Sequence, residues 1–140
     1  MTFNDCLDIE IHEMNSQTIE LRIPFKEEFK NELGACHGAI IMAIADIATG
    51  LLANELKHSA PTQSSYTNFL NPILKTKYIY AKSQIIKRGS RTVTVDCKIW
   101  SDDSNLAAVN RSEFTIIQGD FKKNPSKFSE SLKSGNYKKY

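Results

Sequence analysis

The chain has 140 residues, 41% of them apolar and 24% charged, enough to close one domain around its own core without disulfides or metal. No apolar run approaches the roughly 20 residues of a membrane span, and the opening MTFNDCLDIEIHE lacks the basic-then-apolar order of an export signal. Cys6, Cys36 and Cys97 are odd in number and far apart, which fits neither a disulfide framework nor a zinc motif, so a cytoplasmic protein with free thiols is expected.

The net charge of +2 is unevenly placed: six lysines against two acids make the stretch from Asp120 to Tyr140 +4 and leave −2 for the rest. A nucleic-acid-binding body would carry the opposite distribution. Between Glu55 and Asp96 there is no acid but seven cations, among them Lys82, Arg88 and Arg91. Either something anionic docks along that span, or its lysines line a solvated sheet face.

In chain order, Leu7, Ile9, Ile11 and then Ile19, Leu21, Ile23, Phe25 alternate with the period of half-buried strands, with MNSQ as the turn between them. The segment GAIIMAIADIATGLLANEL follows, in which Ile40, Ile44, Ile47, Leu51 and Ile41, Ala45, Ala48, Leu52 form two adjacent rows at helical spacing. An apolar face that wide predicts a central, buried helix, with Lys57 and His58 suiting its C-terminal dipole and Pro61 beyond. TQSSYTNFL reads as a strand stopped by Pro72. Ile79, Ala81, Ser83, Ile85 mark the inward face of the next, KRGSR at 87–91 a turn, Val93, Val95, Cys97, Ile99 a third, SDDSN another turn, and Leu106 to Ile117 a fourth. Two strands, one long helix and a meander of four strands predict an α+β domain over 1–119, a curved antiparallel sheet wrapped round the helix. Residues 120–140 read as a basic flexible tail with one short helix at most. The sheet's edges and open face favour a homodimer or homotetramer.

Within that helix the only charged side chain between His37 and Glu55 is Asp46, on a stripe with Ala39, Ala43, Gly50 and Ala53. An unpaired buried carboxylate costs several kcal/mol, roughly, so Asp46 needs solvent, a donor or a chemical role. At the start of the helix GACHG places Gly34, His37 and Gly38, where free backbone N–H groups and the dipole can hold a developing oxyanion. The eight residues from Gly38 to Asp46 span about 12 Å at 1.5 Å per residue. One carbonyl cannot touch both, so cooperation requires the glycine of one chain and the aspartate of another.

NELGACHGAIIMAIAD resembles the N-x-x-G-x-x-H-G-G pattern, with an aspartate eight residues after the first of those last two glycines, of hotdog-fold acyl-CoA thioesterases of the phenylacetate-degradation (PaaI) type. The resemblance runs through TQSSYTNFLNP and KRGSR to about Ile117, and departs at Ala39, where a second glycine is usual. It implies a hotdog fold, with sites between two chains that hydrolyse an acyl- or aryl-CoA thioester. Asp46 is implied as the general base or, alternatively, a nucleophile, and the Gly38 amide as the group that polarises the carbonyl. His37 and Asn31 would hold the loop and help place the thioester, and Thr62 would orient the water. Arg88, Gly89, Ser90 and Arg91 would lie near the phosphates of coenzyme A, which enters as part of the substrate, with no separate cofactor and no metal.

Other groupings carry less. Cys36 and His37 are neighbours that point to opposite sides of an extended segment, which does not suit a thiol and its base. His37 and Asp46 lack a third metal ligand. The paired acids Glu27–Glu28 and Asp102–Asp103 suit solvated loops. A hotdog hydratase would need a histidine soon after Asp46, and none comes before His58. The competing function is a hotdog domain that binds acyl-CoA or a lipid-like ligand without turning it over.

Overall fold

In the computed structural model, which describes residues 1–55, 59–117 and 137–140, one helix lies across a seven-stranded sheet. The strands are β1 (Glu10–Met14), β2 (Thr18–Pro24), β3 (Thr62–Phe69), β4 (Tyr78–Arg88), β5 (Thr92–Ser101), β6 (Leu106–Thr115) and β7 (Lys138–Lys139); the helix α1 is Gly38–Ala53. The sheet order is β3-β6-β5-β4-β2-β1-β7, antiparallel throughout except where β7 joins β1. Among the described residues no helix is long and apolar enough to cross a membrane.

The core forms where the two periodicities meet. Ile41, Ile44, Ala45, Ala48, Leu51 and Leu52 of α1 are at most 3% exposed, and they face the inward rows of the sheet, which include Leu21, Ile79, Ala81, Val95 and Ile99, all fully buried. Opposite that seam α1 shows Ala39, Met42 and Asp46 to solvent. On the outer face of the sheet Lys82 stands opposite Lys98, and both are exposed; Lys82 of the acid-free span is therefore part of the charged covering of an open sheet face.

Four details differ from the alternation read in the sequence. Leu7 is buried but closes a 3-10 turn, Asn4–Leu7. Asp8, at φ 53°, then breaks the extended run before β1 begins at Glu10. Met14 belongs to β1, so the turn is narrower than MNSQ; the Asn15 side-chain oxygen accepts from the N–H groups of Gln17 and Thr18, which closes it. The last four strands of the sequence are not a plain meander, because β3 crosses to the far side of β6 while β4, β5 and β6 follow one another. The end of the chain is not wholly a free tail either. Tyr140 donates its N–H to the Ile11 carbonyl, and its ring lies 4.0 Å from the Arg22 guanidinium, which Tyr78 covers at 3.8 Å. Lys57, His58, the short helix and the boundary at 119 lie outside the described residues.

The two edges of the sheet differ. β1 is covered in part by β7, whereas among the described residues β3 has no neighbour beyond it and is exposed at nearly every position. Tyr66 (69%) and Phe69 (53%) stand out there among apolar side chains. An uncovered edge of this kind is a template for pairing with another chain.

Candidate active site

The start of α1 is built by a loop that the chain ties down from several sides. Asn31 organises its first turn: the side-chain oxygen accepts from the N–H groups of Leu33 (2.9 Å) and Ala35 (3.1 Å), and its own N–H donates to the Ala35 carbonyl. Gly34 sits inside that turn at φ +84°, a conformation that residues with a side chain adopt at a cost. Cys36 donates its N–H to the Ile73 carbonyl, and His37 donates to that of Phe29 at 2.6 Å.

His37 is the N-cap of α1. Its Nδ1 accepts from the Ala39 N–H at 3.0 Å, so the neutral ring carries its proton on Nε2. Capping by His37 uses the Ala39 donor and leaves the Gly38 N–H without an acceptor among the described residues. At a helix start such a donor carries the positive end of the dipole. The surroundings of Gly38 are close: a Cβ built there would stand 3.3 Å from the Phe69 ring. A cavity of about 390 Å³ opens beside it, lined by Cys36, Ile41, Phe69 and Leu70 among others. Phe69 is the residue that the sequence reading did not single out. The signal available was a large apolar side chain in an otherwise polar strand.

Two turns along α1, Asp46 is exposed and accepts a hydrogen bond from the Thr62 hydroxyl, Oγ1 to Oδ1 at 2.7 Å. The strand that carries Thr62 is bulged to do this. Thr62 pairs with Phe114 but Ser64 with Glu113, so Gln63 is an extra residue, and the bulge turns Thr62 to the inner face when plain alternation would turn it out. The Gln63 side-chain oxygen accepts from the Thr115 hydroxyl, which holds the bulge. Beside this pair lies a cavity of about 450 Å³, lined by Asp46, Gly50, Leu51, Thr62, Phe114 and Ile117 among others.

The residues named from sequence thus fall in three places. Asn31, His37 and Gly38 meet at the start of α1, and Asp46 meets Thr62 about 12 Å further along it. Arg88 ends β4, and Gly89, Ser90 and Arg91 form the turn into β5. The turn does not line the Asp46 cavity; its link to that region is the Arg91 carbonyl, which accepts from the N–H of Ile116, the sequence neighbour of the lining residue Ile117. Within the turn the two arginines differ. Arg88 donates from Nη2 to the Ser16 carbonyl at 2.9 Å, which ties the β1–β2 turn to β4, while Arg91 is exposed. Cys36 is buried, and burial pushes its thiol up to about 11, which disfavours the thiolate that a cysteine nucleophile requires.

Comparison with known proteins identifies the family and the fold. Residues 33–108 match the family model described as "Thioesterase superfamily". A Saccharolobus solfataricus protein provisionally named an esterase is 31% identical over 114 residues, 80% of this chain and 81% of that one. Among solved structures, the Escherichia coli PaaI protein from the phenylacetic acid degradation operon superposes with a TM-score of 0.77 at 23% identity, covering 81% of this chain and 83% of its own. A Streptococcus mutans protein solved bound to acetyl CoA gives 0.74 at 16% identity, covering 78% and 88%. The chain belongs to the thioesterase superfamily and has the hotdog fold.

Proposed function

We propose that this chain hydrolyses an acyl- or aryl-CoA thioester in sites shared by two copies, each combining Asp46 of one with Gly38 of the other. The observation that carries the reading is the Thr62 hydroxyl on Asp46 Oδ1. It occupies one carboxylate oxygen and leaves the second to hold a water at the mouth of an apolar cavity. That water attacks the thioester carbonyl as Asp46 takes its proton. The oxyanion settles on the Gly38 N–H of the other copy, and collapse of the tetrahedral intermediate expels the coenzyme A thiolate. His37 supports the donor indirectly, because it removes the competing Ala39 N–H and fixes the helix start. Asn31 shapes the loop that leads to it.

The exposed β3 edge and the exposed Ala39, Met42 and Asp46 of α1 favour assembly as a homodimer or homotetramer. Coenzyme A as the thiol half of the substrate is supported by the acetyl CoA in the Streptococcus mutans protein of the same fold and by the exposed Arg91, whose turn is bonded to Ile116. No cofactor beyond that coenzyme A is invoked.

The test is thiol release from a panel of aryl-, short- and long-chain acyl-CoA substrates, with Asp46→Asn alongside the unaltered chain. Loss of a general base commonly lowers turnover by about 100-fold or more, and the exposed position of Asp46 predicts an unchanged melting temperature. A variant with near-normal turnover removes Asp46 from the mechanism. Tight binding of acyl-CoA with no thiol release by the unaltered chain makes it a binding domain instead.

A further inference from the structure

β3, TQSSYTNF, is exposed along nearly its whole length. A strand that is polar on both faces has no hydrophobic alternation to set its register, yet both candidate catalytic centres depend on that register. At one end Thr62 must reach Asp46; at the other Phe69 lies against Gly38.

What opposes β3 on the inner face of β6 is unusual for a core. Between Ala108 and Phe114, both buried apolar residues, stand Asn110 (4% exposed) and Ser112 (0%). Asn110 Nδ2 donates to Ser65 Oγ at 2.9 Å and to Thr67 Oγ1 at 2.8 Å. Its Oδ1 accepts from the Ser112 hydroxyl at 2.7 Å, and the Ser112 and Ser65 hydroxyl oxygens are 3.0 Å apart. Ser112 has a single proton and gives it to Asn110, so Ser65 supplies the proton between the two serines. The ring closes, and each polar atom of the Asn110 side chain is used. A slip of one residue brings Tyr66 or Asn68 to the place of Thr67, and Ser64 or Tyr66 to the place of Ser65, so that the Asn110 amide loses at least one of its two hydroxyl acceptors. The observed register supplies both.

We propose that Asn110 is a positioning residue: through Ser65 and Thr67 it locks the register of β3 and so delivers the Thr62 hydroxyl to Asp46 without itself meeting substrate. The proposal rests on the reading of Asp46 as base with Thr62 as its partner, and adds to it a residue on another strand that no motif marks.

Asn110→Val removes the amide and keeps a good strand former. The variant is expected to fold, to lose turnover by about tenfold or more with little change in KM, and to uncouple Thr62. Thr62→Val lowers turnover in the unaltered chain and has no further effect when Asn110 is already valine. A readout independent of activity is hydrogen exchange: the amides of β3 exchange faster in Asn110→Val while those of β4 and β5 do not. Ser65→Ala combined with Thr67→Val breaks the ring from the accessible side and reproduces both effects, including where Asn110→Val proves unstable. Unchanged β3 exchange in these variants, or a Thr62→Val loss that simply adds to theirs, overturns the proposal. If Thr62→Val leaves the unaltered chain fully active while β3 exchange rises as expected, the register lock stands and the catalytic part given to Thr62 falls.

Discussion

Two copies that share their sites can be tested by mixing two damaged chains. Gly38 and Asp46 begin α1 and sit in its third turn, about 12 Å apart on a rigid helix. A thioester carbonyl must lie within about 3–3.5 Å of both its attacking water and its oxyanion donor, so one helix cannot supply both. Gly38→Val places a Cβ where the Phe69 ring is only 3.3 Å away, and two methyl groups beyond it fill the approach to the amide. Asp46→Asn keeps the shape and loses the base. Each variant alone should be nearly inactive. In a mixed pair one site carries both lesions and the other carries neither. With free exchange at equal amounts half the pairs are mixed, and each has one good site in two, so activity should return to about a quarter of normal. The assay is thiol release from a CoA thioester, with exchange followed by native mass spectrometry. No recovery despite demonstrated exchange refutes the shared site, or shows that one of the two residues is not catalytic.

The two arginines of the β4–β5 turn should separate in function. Arg91→Ala should raise KM for CoA thioesters, spare short pantetheine thioesters, and matter less as salt rises; Arg88→Ala should instead lower the melting temperature, because it frees the Ser16 carbonyl. An equal effect of Arg91→Ala on both substrate types removes the phosphate contact. The cysteines give a third check: burial pushes the Cys36 and Cys97 thiols up to about 11 and about 12, while Cys6 is exposed. Iodoacetamide on the native chain near pH 8 should therefore add a single label at Cys6, and labelling of Cys36 by intact-mass and peptide analysis would contradict the packed loop before α1.

Much of the fold was legible because burial writes itself as periodicity. The two helical rows ending at Leu51 and Leu52 are buried where the spacing placed them except at Ile40, which is half-buried, and the inward rows of β4 and β5 hold residue by residue. Asp46 stood out for the same reason, as the single charge in an apolar helix. What stayed hidden depends on long-range pairing. Nothing near TQSSYTNF says that it pairs with β6 and not with β4, because a polar edge strand reads alike beside any neighbour. The C-terminal strand was hidden because its anchors, the Arg22 guanidinium and the Ile11 carbonyl, lie more than a hundred residues away in sequence.

The site shows the same limit at the scale of one residue. The family resemblance points to Thr62, but strict alternation from Ser65, which faces inward opposite Ser112, would turn Thr62 outward. The extra residue Gln63 reverses that parity, and only the pairing with Phe114 and Glu113 reveals it. Deleting Gln63 therefore makes a sharp test of the arrangement. With the extra residue gone, Thr62 directly precedes Ser64, and plain pairing keeps it opposite Phe114 on the inner face, toward Asp46. Ser65 and Thr67 keep their bonds to Asn110 and hold the rest of the strand. The bulge is at the start of an edge strand, where its removal disturbs little of the core. The expected outcome is a melting temperature within a few degrees of normal and near-normal turnover, which Thr62→Val lowers as far as it does in the unaltered chain. Turnover lost on the deletion, with no further loss from Thr62→Val, would show that the hydroxyl is aimed by the bulge's own geometry and not by the face that Thr62 takes.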